Sequence, residues 1–126
     1  MSRSPLPFDR LAALDKTVHE PARLAILSAL SACRSALFTY LLALTGLTQG
    51  NLHVHLSKLK EHGFVEIDKE YAGGYSSTSV RLTSAGRNAI TEHWQQLLDL
   101  KHDAEEEGNP EEDRALTPKI RRRSNQ

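Results

Sequence analysis

Apolar positions recur at helical spacing in four successive runs, change to a period of two, and return to helical spacing near the end of the chain. Behind Pro7, the residues Phe8, Leu11, Ala12 and Val18 suggest a short first helix ending near Lys16. Pro21 sits where a first helical turn tolerates it, and Leu24, Leu27 and Leu30 share one face of a second helix reaching about Ala32. Ser35 is placed to cap a third helix with the stripe Leu37, Phe38, Leu41 and Leu42, which Gly46 stops by adopting the left-handed conformation. Thr48 is a good N-cap for a fourth, in which Leu52, Leu56 and Leu59 fall at i, i+4 and i+7 before Gly63. Only Thr45-Gly46-Leu47 joins these two, so the pattern is helix, tight turn, helix.

Beyond Gly63, Val65, Ile67 and Lys69 point one way and Glu66, Asp68 and Glu70 the other, as in a strand with one wet face. A turn-rich loop follows from Ala72 to Ser77, and Val80 and Leu82 around Arg81 form the return strand of a hairpin. Thr83 or Ser84 then caps a last long helix, with Ile90, Trp94, Leu97 and Leu98 as its stripe, continuing to about Asp103. The predicted fold is mainly α with a small β-hairpin: a winged helix-turn-helix with a long C-terminal helix. The last stripe extends past what a core of roughly 80 residues can cover, and an exposed stripe of that kind asks for a partner.

The run Thr45 to Val65, the run Arg81-Leu82-Thr83-Ser84-Ala85-Gly86-Arg87, and Glu20-Pro21-Ala22-Arg23-Leu24-Ala25-Ile26-Leu27 together resemble a known group. They are similar to the small bacterial and archaeal winged-helix transcriptional regulators related to the MarR and ArsR families. The resemblance spans nearly all of the expected folded part. It implies a dimeric DNA-binding repressor or activator, with the helix from Thr48 to His62 in the major groove and the 71–78 loop as a wing. It also implies a homodimer formed through the first and last helices. Together with the apolar stripe, this names Phe8, Leu11, Ile90, Trp94, Leu97 and Leu98 as interface candidates.

Helical geometry then sorts the fourth helix. With Leu52, Leu56 and Leu59 inward, Gly50, Val54, Ser57, Lys58 and Glu61 lie broadly opposite, and Gln49, Asn51 and His53 flank the first turns. Gln49 and Asn51 suit adenine, His53 can donate to guanine, and Val54 can touch a thymine methyl. Gly50 allows close approach of the helix tip, while Thr48, the free amides beside it and Lys58 suit phosphates. Simpler roles stand beside these: Asn51 completing the cap, Lys58 pairing with Glu61, and His55 packing half-buried. On the wing, Gly74, Tyr75, Ser76 and Arg81 are the candidates. Arg81 has an alternative as the cross-strand partner of Glu66 or Asp68.

Charge sharpens this picture. Lys plus Arg and Asp plus Glu number 16 each in 126 residues, so any anionic partner must be met by a local patch. The segment 99–113 holds eight acids against Lys101, and 114–126 holds five cations and no acid. Gly108, Asn109, Pro110 and Pro118 interrupt any helix there, so residues 104–126 are expected to be a disordered, acidic-then-basic tail behind a winged-helix domain over 1–103. From 48 to 82, four cations meet four acids, and no cation lies between Lys69 and Arg81. Weak non-specific affinity with a shallow salt dependence follows.

No Walker loop, dinucleotide fingerprint, nucleophile elbow or catalytic carboxylate pair is present, so neither an enzyme nor a cofactor is expected. His53 and His55 diverge by about 200° on a helix and cannot share a metal ion. Cys33 follows small and apolar residues and reads as packing, and a single cysteine without a secretory leader fits a cytoplasmic protein. No segment is long and apolar enough for a membrane span. The expected function is a homodimeric transcriptional regulator on a pseudo-palindromic double-stranded DNA site, with no small-molecule effector indicated. The uncharged wing keeps a second function open: a winged-helix module for protein contacts.

Overall fold

The computed structural model describes residues 7–107. In chain order it contains α1 (Pro7–Ala12), α2 (Pro21–Ser31), β1 (Ala36–Leu37), α3 (Phe38–Thr45), α4 (Gln49–Glu61), β2 (Val65–Ala72), β3 (Tyr75–Leu82) and α5 (Ser84–Glu107). These fall into two compact units, one over 14–95 and one comprising α1 with the part of α5 from Gln96 onward. The expected winged helix-turn-helix is present, with four corrections, the last at the end of α5.

The first helix ends at Ala12, not near Lys16. The Asp15 carboxylate accepts the Thr17 amide at 2.9 Å, a local bond that competes with helix, and Val18 is delivered to the core from a turn. The third helix starts at Phe38, and Ser35 does not cap it. Its N-cap is Leu37, which makes no side-chain capping bond, because Ala36 and Leu37 are drawn into a strand opposite Val80 and Ser79. That gives a three-stranded antiparallel sheet in the order β1-β3-β2 instead of a bare hairpin. Thirdly, the 71–78 loop is mostly strand. Gly73 and Gly74 have φ of 58° and 82°, the two positive values that a two-residue turn of this hand requires, so pairing runs out to Ala72 opposite Tyr75.

The core of the larger unit takes Leu27 and Leu30 of α2, Leu41 of α3, Leu52, Leu56 and Leu59 of α4, with Val65 and Val80 of the sheet, as the sequence places them; on α2, Ile26 is fully buried and Leu24, expected on the inward face, is only partly so. Each such side chain contributes about 1.5–3 kcal/mol by leaving water. Glu20 opens α2 by accepting the Arg23 amide at 2.8 Å.

The junction of α4, the sheet and α5 is locked by two residues. Thr83 donates its amide to the Phe64 carbonyl at 3.1 Å and its hydroxyl to the Gly63 carbonyl at 2.5 Å, and its Oγ1 accepts the Gly86 amide at 3.0 Å. Thr83 is therefore the cap of α5. Gly86 has no room for a side chain, since a Cβ there would lie 2.0 Å from the Phe64 carbonyl oxygen. Residues 83–86 thus hold the start of α5 directly against the exit of α4. That helix runs through Glu107, so 104–107 are helical instead of tail; the rest of the expected tail, 108–126, lies outside the described residues.

Candidate nucleic-acid interface

Two capping devices aim α4. Thr45 donates its hydroxyl to the Leu41 carbonyl at 2.8 Å and accepts the Leu47 amide at 3.3 Å, and Gly46 turns the chain with φ 70°. Thr48 then accepts the Asn51 amide on Oγ1 at 3.1 Å, the predicted N-cap. With Leu52, Leu56 and Leu59 buried, the structure brings Gln49, Gly50, Asn51, His53, Val54, Ser57 and Lys58 together on one exposed face. Val54 is 62% exposed, an apolar side chain held in water at its centre. His53, Val54, Ser57, Lys58 and Glu61 line a shallow depression along this face.

The flanking histidines serve structure. His55 is half-buried, with Nδ1 at 3.3 Å from Arg23 Nη1 and 3.9 Å from Glu20 Oε1, so it packs against the start of α2. His62 donates Nδ1–H to the Lys58 carbonyl at 2.9 Å, which leaves Nε2 to accept the Thr17 hydroxyl at 3.1 Å. No group of three or more metal-ligating side chains occurs among the described residues. Cys33 is half-buried against the core, its Sγ 3.6 Å from the Ala29 carbonyl.

On the wing, Tyr71 and Tyr75 are exposed on either side of the Gly73-Gly74 turn, and Gly74 and Ser76 are exposed beside them. Arg81 is committed elsewhere. It donates Nη2–H and Nε–H to Glu66 Oε1 at 2.8 and 3.1 Å, and Nη1–H to Asp68 Oδ2 at 3.3 Å. The Glu66 hydrogen bonds and charge, and then the Asp68 charge, raise its pKa further, so it stays protonated with its charge balanced. Of its two sequence readings, the cross-strand pair is the one formed.

A charge feature overlooked in the sequence leaves the α4 face without an acid until its last residue, Glu61, which lines the depression with Lys58. From Pro21 to Lys60 there is no acid, while Arg23, Arg34, Lys58 and Lys60 are present. Counting from 48 to 82 blends this stretch with the acidic face of β2 and so hides it.

The interface candidates separate. Trp94 and Leu98 are 44% and 61% exposed, Leu11 is exposed and Leu97 half-buried; Phe8 lies in α1. Ile90, at 1% exposure, is a correction: it belongs to this chain's own core and offers nothing to a second copy. Its inward companion one turn on is His93, 2% exposed, whose Nε2 lies 3.1 Å from His19 Nδ1 and whose Nδ1 is buried without a hydrogen-bond partner. Sequence reading missed His93 because a histidine interrupts an apolar stripe. Its helical phase, i+3 from Ile90, was the available signal.

Fold and face together define a winged-helix protein whose helix-turn-helix has an exposed second helix with no acid before its last residue, Glu61. The chain belongs to the winged helix DNA-binding domain family, whose model matches residues 22–100. It is 36% identical over 90 residues to an uncharacterized protein of Methanocaldococcus jannaschii, an alignment covering 71% of this chain and 98% of that one. The fold is similar to a transcriptional regulator homologue from Pyrococcus horikoshii OT3, with TM-score 0.70, 25% identity, and coverage of 76% of this chain and 94% of that one. A MarR-family regulator from Silicibacter pomeroyi is similar with TM-score 0.54 and 26% identity over 85% of this chain and 71% of that one. The transcriptional repressor CouR, solved on a 23-mer DNA duplex, shares the fold with TM-score 0.59 and 17% identity, over 94% of this chain and 88% of that one. The protein is a winged-helix transcriptional regulator related to MarR. Among the described residues, no helix is long and apolar enough to cross a membrane.

Proposed function

We propose that the protein acts as a homodimer that binds a pseudo-palindromic DNA operator, reading base edges with α4 and bracing the hairpin against the flanking backbone. The observation that carries this reading is the outer face of α4. Gln49, Asn51, His53, Val54, Ser57 and Lys58 stand exposed together over a buried leucine stripe, in a 40-residue stretch from 21 to 60 free of carboxylates. Up to Glu61 at its C-terminal end, such a face can lie in a major groove with little like-charge repulsion from phosphates. Thr48, the amides at the helix start and Lys58 would take phosphates; Gln49, Asn51, His53 and Val54 would face bases, with Gly50 allowing the approach. Tyr75, Ser76 and the Gly74 turn would meet the backbone beyond the groove. Trp94 and Leu98 of α5 and Leu11 of α1 are each exposed apolar residues that a second copy could cover.

A gel-shift series against the region upstream of the protein's own gene, at low and physiological salt, tests this reading. A sequence-preferring band at low salt supports it, and its absence with folded dimer present removes it. The balanced Arg81 favours one rival, a winged-helix module for protein contacts. Replacing Gln49 and His53 by alanine separates the two, since a protein-contact module keeps its function.

A further inference from the structure

On the open face of α4, the ring of His53 is held by a residue of another helix. Its imidazole centroid lies 4.7 Å from that of Phe38, with the ring planes tilted by 31°. Phe38 is the first residue of α3, 8% exposed and part of the core cluster that includes Leu41. Its ring is a fixed wall. A neighbour stacked in this way occupies a face of the imidazole, whereas the ring nitrogens donate and accept in the ring plane. His53 is exposed and shares the shallow depression of α4 with Val54, Ser57, Lys58 and Glu61, the surface a base pair would occupy. An imidazole preset in this way loses little rotational freedom on binding, which converts a possible hydrogen bond into discrimination between bases.

We propose that His53 is the specificity-determining base contact of α4 and that Phe38 is the positioning residue that presets its ring. The first helix of the helix-turn-helix then acts on sequence discrimination through a side chain that touches no DNA. This inference rests on the reading of α4 as the recognition helix.

The test is a selected-oligonucleotide binding profile of the full chain as wild type, His53→Ala, Phe38→Leu, Phe38→Tyr and the double variant His53→Ala with Phe38→Leu. His53→Ala and Phe38→Leu are expected to relax preference at the same base pair of each half-site, Phe38→Leu by about 2- to 10-fold, the range of an aromatic pair contact. Affinity for an unrelated duplex stays unchanged, Phe38→Tyr keeps the preference, and Phe38→Leu adds nothing once His53 is alanine. Equal weakening on every duplex would assign Phe38 a structural role only and overturn the proposal, as would relaxation at different base pairs. Should Phe38→Leu lose its helical circular dichroism, Phe38→Met takes its place, and the surface variant His53→Ala decides the base contact alone. A flat wild-type profile overturns the recognition-helix reading itself; a peaked one that His53→Ala leaves intact overturns only this inference.

Discussion

Glu66 and Arg81 stand directly opposite one another in the β2–β3 register, with Oε1 and Nη2 2.8 Å apart. Asp68 completes a three-residue cluster, its Oδ2 3.3 Å from Nη1, so the wing's one guanidinium carries its own counter-charges. Removing those carboxylates should release Arg81 to phosphates. For Glu66→Gln with Asp68→Asn, non-specific duplex affinity is expected to rise. The slope of log affinity against log salt should steepen by about 0.9 for each phosphate newly neutralised. Salt titrations of both proteins on a random duplex check this; equal slopes would mean that the wing does not approach DNA.

Gly86 makes the sharpest stability prediction. Its site has no room for a methyl group, because the Phe64 carbonyl oxygen would be 2.0 Å from the new Cβ. Alanine gains about 1 kcal/mol in helix propensity over glycine, but backbone overlap of this degree costs typically 1–3 kcal/mol or more. Gly86→Ala should therefore lower Tm by several degrees, roughly 4–8 °C per kcal/mol for a domain of this size. Thermal unfolding followed by circular dichroism gives the answer, and an unchanged or raised Tm would contradict the packing at this junction.

His93 sets a pH dependence. Burial chiefly, and the neighbouring His19 next, push its pKa below the usual histidine value, while Asp15 pulls weakly the other way. The folded state thus favours the neutral ring, and on acidification the unfolded chain takes up the proton first. Stability is full above the ordinary histidine range, near 6.5, and falls as pH drops below it. Tm measured from pH 8 to pH 5 should decline at the acid end, and His93→Leu should flatten that part of the curve. An equal decline in both proteins would place the acid sensitivity elsewhere.

Ile90 and Trp94 are one turn apart on α5 but are expected to fail differently. Ile90 is in the chain's own core, so Ile90→Ala should cost about 2–5 kcal/mol in folding while the folded fraction keeps its association state. Trp94 and Leu98 are exposed apolar residues, and Trp94→Glu or Leu98→Glu should shift a dimer towards monomer with little loss of fold. Light scattering coupled to gel filtration, read beside the unfolding curves, distinguishes these outcomes. A Trp94→Glu protein of undiminished mass would remove α5 from the proposed interface.

Much of the protein was legible in its one-dimensional pattern, for physical reasons that can be named. Leu52, Leu56 and Leu59 mark the buried face of α4 because helical period and burial are local facts, and the exposed set from Gln49 to Lys58 follows as its complement. Thr48 and Gly46 announced the turn because capping and left-handed backbone are demands on single residues. Tertiary structure decided what depends on partners distant in sequence. Two residues, Ala36 and Leu37, are too few to show a period of two, and only Val80 and Ser79 across the sheet make them a strand. Arg81 had two readings until Glu66 and Asp68 closed on it. His53 acquires Phe38, and His93 acquires His19, only when separate segments pack. Periodicity and caps are written into neighbouring residues, whereas the setting of a charge or a ring belongs to whatever the fold brings beside it.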